Sequence, residues 1–128
     1  MAVRIVRLGS PRSPGEGLRI GTVQRPPRSV RKADCAAGDW FDVWFPNLAP
    51  TPATMKIAQT ADSPQAWRRF TQRYRAEMRA PDNARTLQLL AALSHHTDFS
   101  VGCDCEDESW CYRSLRRRLL GDAGARID

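Results

Sequence analysis

No stretch of this 128-residue chain is apolar for long enough to cross a bilayer, which takes roughly 20 residues. The opening MAVRIVRLGS is too short and too charged for a secretory signal. No membrane partner is expected, and a cytoplasmic location is. Lysine is scarce, with only Lys32 and Lys56, so nearly all the positive charge is arginine. Histidine is confined to His95 and His96, so chemistry that needs several imidazoles has little to draw on. Internal repeats and low-complexity tracts are also absent, which excludes solenoid and fibrous architectures.

What remains reads as one soluble globular domain. Hydrophobic residues make up 41% and charged residues 27%, and the length suits a single modest core. The formal net charge is +6. Arginine's planar fork matches phosphate and carboxylate geometry, so the balance points to an anionic partner, with nucleic acid as one form of it. Four cysteines without a secretory signal imply free thiols rather than disulfides.

Strand and helix signals alternate along the chain. Residues 2–9, AVRIVRLG, are short and β-branched and read as a strand; SPRSPGEG is a loop; LRIGTVQR, residues 18–25, is a second strand, halted by Pro26 and Pro27. Arg25, Arg28, Arg31 and Lys32 crowd around that Pro-Pro turn. The segment DWFDVWFPNLAPTP carries Trp40, Phe41, Trp44 and Phe45, expected to anchor an extended stretch, Phe41 to Phe45, to the core, with a stacking platform for bases as their second use. Thr51 followed by Pro52 predicts the cap and first turn of a short helix through Gln59.

Ser63 and Pro64 open the clearest helix, with Trp67, Phe70, Tyr74 and Met78 on one stripe. Pro81 stops it, and Asp82 is expected to cap a further helix burying Leu87, Leu90 and Ala91, with His95 and His96 near its end. DFSVGCD then reads as a strand and SWCYRSLRRRLLG as a final helix, Leu115 and Leu119 inward and Gly121 its stop. These elements predict an α/β fold: one small three-layer-type domain over residues 1–121, with a short, mostly parallel or mixed sheet packed by helices. Residues 122–128 are expected to form a flexible tail.

The junction VGCDCEDESWCYRS, residues 101–114, concentrates the chemistry. Residues following a strand's carboxyl end and facing a helix N-terminus are the usual ligand position in open α/β sheets. Cys111 falls in the first helical turn, where the dipole favours a thiolate, while Asp107 and Glu108 oppose one. A zinc site through Cys103, Cys105 and Cys111 would rest on a C-x-C-x5-C spacing unlike paired zinc knuckles, and its fourth ligand would have to come from Cys35 or a histidine. Neither metal nor cofactor is expected. A phosphatase-type loop fails on spacing: seven residues separate Cys105 from Arg113 and one separates Cys111 from it.

Four motifs, VQRPPRSV, NLAPT, WRRFTQRYRAEM and CYRS, together resemble the YeaO-like family, domain of unknown function 488, over nearly the whole chain. The family's first motif runs Asp-Arg-Leu-Trp-Pro-Arg-Gly and its last Cys-His-Arg-Ser. Here the aspartate is Gln24, the glycine Ser29 and the histidine Tyr112, while Arg25, Arg28, Cys111, Arg113 and Ser114 match. The resemblance implies the fold. Acid–base chemistry through the missing aspartate and histidine is not implied for this chain.

The expected site is an anion-binding pocket, for phosphate, a nucleotide or a similar ligand, at the carboxyl edge of the sheet. Arg25, Arg28, Arg113 and Ser114 are its ligand-binding residues. The sequence equally allows these arginines to pair with Asp104, Asp107 or Glu108 as simple ties between loops. Two other classes stay open: a nucleic-acid or protein interaction module using arginine-rich helix faces, and an enzyme with Cys105 or Cys111 as reactive thiol.

Overall fold

A computed structural model describes residues 1–25, 39–103 and 112–128. Among them lie β1 (Val3–Arg7), β2 (Leu18–Gly21), β3 (Val43–Trp44), α1 (Pro52–Gln59), α2 (Pro64–Met78), α3 (Pro81–Leu93), β4 (Phe99–Cys103) and α4 (Tyr112–Asp122). The four strands form one sheet in the order β1-β4-β2-β3, every pair parallel. The α/β class read from the sequence holds, and the sheet is parallel throughout. β4 is buried along its whole length, as a central strand of such a sheet must be.

Register assigns the faces. Leu18 pairs with Phe99 and Ile20 with Val101, while Arg19 stands beside Ser100 and Gly21 beside Gly102. Phe99, Val101 and Cys103 join Val3, Phe70, Tyr74, Leu87, Leu90, Leu115 and Leu120 in the core built with the helices. On the alternate positions β2 and β4 place Arg19, Ser100 and two glycines, Gly21 and Gly102. A Cβ on Gly21 would sit 2.5 Å from the Phe41 ring, and one on Gly102 would sit 3.0 Å from Leu8. These two glycines leave the room in which Phe41 and Leu8 pack.

The same face buries an ion pair. Arg19 is fully buried and Glu16 nearly so; Arg19 Nε donates to Glu16 Oε2 at 2.7 Å and Nη2 to Oε1 at 2.9 Å. Arg19 Nη1 also donates to the carbonyls of Ser10 and Asp39, and Ser100 Oγ donates to Glu16. Two loops are thereby tied to β2 and β4. Glu16 is held at a pKa of about 2, chiefly by the bond from Arg19, with burial pulling the other way.

Helix starts follow the expected chemistry in two cases. Thr51 Oγ1 accepts from the Thr54 amide and Ser63 Oγ from the Ala66 amide, each ahead of a proline. α3 departs from expectation: its N-cap is Ala80 and Asp82 lies inside the first turn, because Pro81 can itself occupy the first helical position. α4 does not stop at Gly121. It runs through Asp122 and ends at Gly124, whose φ of 96° suits the left-handed position; the Gly124 amide donates to Gly121 O and the Ala125 amide to Leu120 O.

Strand lengths differ as well. β2 stops at Gly21 rather than Arg25, and only Val43 and Trp44 of the Phe41–Phe45 stretch join the ladder. Of the four aromatics there, Phe41 is buried and Trp40 and Phe45 partly so, but Trp44 keeps 45% of its surface exposed. Residues 125–128, read from the sequence as a loose tail, lie against β1. Val3 N donates to Arg126 O, Asp128 N donates to Val3 O, and Arg4 Nε meets Asp128 Oδ2 at 2.7 Å.

Candidate functional site

β2 and β4 are parallel neighbours and both end at the same edge of the sheet. Past the end of β2 come Thr22, Val23, Gln24 and Arg25; α4, the next described element after β4, runs from Tyr112. Thr22 is fully buried, its amide donating to Gly102 O at 2.9 Å and its hydroxyl to the same carbonyl at 2.8 Å. Two segments distant in sequence, Thr22 after β2 and α4 from Tyr112, thus meet at this edge, the Tyr112 hydroxyl donating to Thr22 O at 3.4 Å.

The side chain that joins them is Arg116. It is fully buried; Nη1 donates to Thr22 Oγ1 and Nη2 donates to Leu48 O at 3.1 Å, with Thr22 O at 3.5 Å. Its guanidinium carbon lies 4.9 Å from the centroid of the Tyr112 ring, a cation–π stack. Tyr74 donates its hydroxyl to Leu48 O at 2.8 Å, and its ring centroid is 5.8 Å from that of Tyr112. Among the described residues no carboxylate pairs with Arg116, and its buried Nε has no hydrogen-bond partner. Burial works against the charged form, yet the facing Tyr74, Tyr112 and Cys103 side chains outweigh it and raise its pKa. A permanent positive charge thus lies behind the carboxyl edge, held by neutral acceptors.

The residues expected from the sequence divide. Arg113 is buried in the first described turn of α4 and Ser114 beside it is partly buried, whereas Arg25 is exposed beyond β2. Arg28, Cys35, Cys105 and Cys111 lie outside the described residues, as do Asp104, Asp107 and Glu108. Cys103, the last residue of β4, is fully buried. Among the described residues no group of three or more metal-ligating side chains comes together. His95 meets the Gly124 carbonyl at 2.8 Å through Nε2, binding the end of α3 to the end of α4.

Arg116 itself went unnoticed in the sequence although a signal for it exists. Tyr112, Leu115, Arg116 and Leu120 are buried and Leu119 partly so, a stripe at i, i+3, i+4, i+7 and i+8, and Arg116 stands within it. An arginine on the apolar face of a helix is a buried charge in waiting.

Next to this cluster, beyond the ends of β2 and β3, opens a groove of about 600 Å³ lined by Gln24, Trp44, Pro46, Asn47, Pro50 and Glu77 among others. Trp44 is fixed there by its indole N–H, which donates to Val23 O at 2.8 Å. Glu77 also lines the groove and accepts from Thr51 N at 3.0 Å, from Thr51 Oγ1 at 2.9 Å and from Thr54 Oγ1.

A parallel α/β domain with a charged carboxyl edge is the class of protein that fold and site define. A family model described as "Active DUF488-N3 subclade" matches residues 3–124, and the chain belongs to this family, domain of unknown function 488. No curated protein and no solved structure matches it. Gln24 and Tyr112, the two departures from the family motif that lie within the described residues, both fall at this edge, one on the groove and one under Arg116.

Proposed function

We propose that the domain binds a small anionic group, a phosphate or a phosphorylated metabolite, at the carboxyl edge where β2 and β4 end and α4 begins. The observation that carries this reading is the fully buried Arg116 with no carboxylate partner among the described residues. Burying a guanidinium costs several kcal/mol after relaxation, and neutral carbonyl and hydroxyl acceptors offset only part of it. Arg19, the other fully buried arginine, illustrates the usual solution, since Glu16 faces it through two hydrogen bonds. Among the described residues Arg116 has no such acid, and an anion drawn to the edge would complete its environment. In this reading Arg116 supplies field from behind, while Arg25, Arg28, Arg113 and Ser114 are the groups that touch the ligand.

Titration calorimetry with inorganic phosphate and with pyrophosphate tests the reading. Binding that weakens about ten-fold or more in Arg113→Ala, with a folded protein by circular dichroism, is the expected result. A generic oligonucleotide titrated at two salt concentrations separates the rival class. A steep loss with salt would assign the arginine-rich helix faces to nucleic acid and displace the small-anion site, because the slope counts phosphates neutralised.

A further inference from the structure

We propose that the groove beside the charged edge is a seat for a planar ring stacked on Trp44, so that the anion bound here belongs to a nucleotide. The proposal rests on the anion reading and names its ligand class. Trp44 ends β3 and leaves 45% of its surface in solvent, while the neighbouring Phe41 and Phe45 turn their rings toward the core. Its N–H is spent on Val23 O, so the indole can neither swing in nor donate to a ligand. A fixed, exposed aromatic face is what base stacking requires, and it is sequence-tolerant because every base has a π-face. The groove's 600 Å³ lies within the range of small-molecule sites.

Two features join groove to charge and orient the ligand. Gln24 lines the groove and Arg25 follows it directly, and the groove wall at Asn47 adjoins Leu48, whose carbonyl accepts from Arg116. Glu77 also lines the groove, and its carboxylate repels phosphate. The phosphate therefore points toward Arg25 and α4, with the ring over Trp44. The neutral amides of Gln24 and Asn47, offering both donors and acceptors, suit the edge of a base or a ribose hydroxyl.

The test compares adenosine and uridine monophosphate with ribose 5-phosphate by titration calorimetry on the intact chain. Nucleotides binding about ten-fold or more tighter than ribose 5-phosphate is the expected result, the gap closing in Trp44→Ala and mostly kept in Trp44→Phe. Ribose 5-phosphate affinity should change by less than about two-fold in both variants. Saturation transfer from the protein to the base protons of bound nucleotide gives a second readout on the unmodified chain. Equal affinity for ribose 5-phosphate and nucleotide overturns the ring seat and leaves the anion site standing. Failure of all phosphorylated ligands overturns both, and a proline-rich peptide that binds at Trp44 while nucleotides do not would reassign the groove.

Discussion

Arg116 on α4 donates to the hydroxyl of Thr22, 94 positions earlier in the chain, and both side chains are fully buried. This one contact ties the end of β2 to the helix after β4, and it places a cation where an open parallel sheet ordinarily receives its ligand. Substitutions at either residue separate the structural part of that statement from the functional part.

Arg116→Met should leave the ligand-free domain folded, with stability changed by less than about 2 kcal/mol. Replacing a buried charge that meets no carboxylate among the described residues with an apolar side chain of similar length is near neutral. The carbonyls it deserts keep other donors: Tyr74 on Leu48 O and Tyr112, at 3.4 Å, on Thr22 O. The stabilisation that phosphate confers on thermal unfolding should disappear. A variant that unfolds outright would mark Arg116 as structural alone, and undiminished phosphate stabilisation would remove it from the site.

Thr22→Val is the complementary change. The shape is kept, but Arg116 Nη1 loses its acceptor and Gly102 O one of two donors from Thr22. A buried charged donor left without a partner costs roughly 1–3 kcal/mol or more, so chemical denaturation should show a clear loss. In the double variant with Arg116→Met most of that loss should vanish, since the orphaned donor is gone. Additive losses would mean the two residues act independently.

How far the sequence anticipated all this differs by element. α1, α2 and α3 were legible because proline-marked starts and a stripe such as Phe70, Tyr74, Met78 are local signals. β4 was equally legible, since FSVGC is buried on both faces and has no polar alternation. The Glu16–Arg19 pair was not: PGEGLR looks like any polar loop, and its burial depends on Ser100 and the carbonyls of Ser10 and Asp39, contributed by segments far along the chain. Trp44 escaped for the opposite reason. Four aromatics within six residues imply a core, and only the sheet edge decides which one stays outside. At the site, Arg116 was not singled out, because only the packing of α4 distinguishes it from the more exposed arginines that follow it.

Gly17 offers a backbone prediction. Its φ is 78°, and a Cβ there would lie 2.1 Å from the carbonyl oxygen of Asp98, just before β4. Gly17→Ala meets both the left-handed penalty of about 1–2 kcal/mol and a clash with backbone that cannot rotate away. Loop and strand must separate, loosening Glu16 as well. A thermal melt should fall by several degrees; an unchanged melt would mean the Gly17–Asp98 approach is dispensable.

The Glu16 carboxyl carries the pH dependence of the fold. Its folded pKa of about 2 lies below the ordinary value of 4.5, so above pH 4.5 the carboxylate contributes its full stabilisation. As the pH falls from there toward 2, the unfolded chain takes up a proton that the folded one refuses, and the contribution drains away. The shift corresponds to a loss on the order of 3 kcal/mol across that window. Asp42 adds to the same acid limb: burial would raise its pKa, but bonds from Arg12 and the Arg19 amide hold it low. Glu16→Gln keeps the shape and removes the charge, leaving Arg19 buried beside a neutral amide. Urea denaturation at pH 7 should therefore show a loss of roughly 3–5 kcal/mol. Between pH 5 and pH 2 the variant should lose less further stability than the parent, the residual slope being that of Asp42 and other acids. Parallel curves for parent and variant would show that Glu16 is protonated in the folded state well above pH 2 and that Arg19 is held by its carbonyl partners alone.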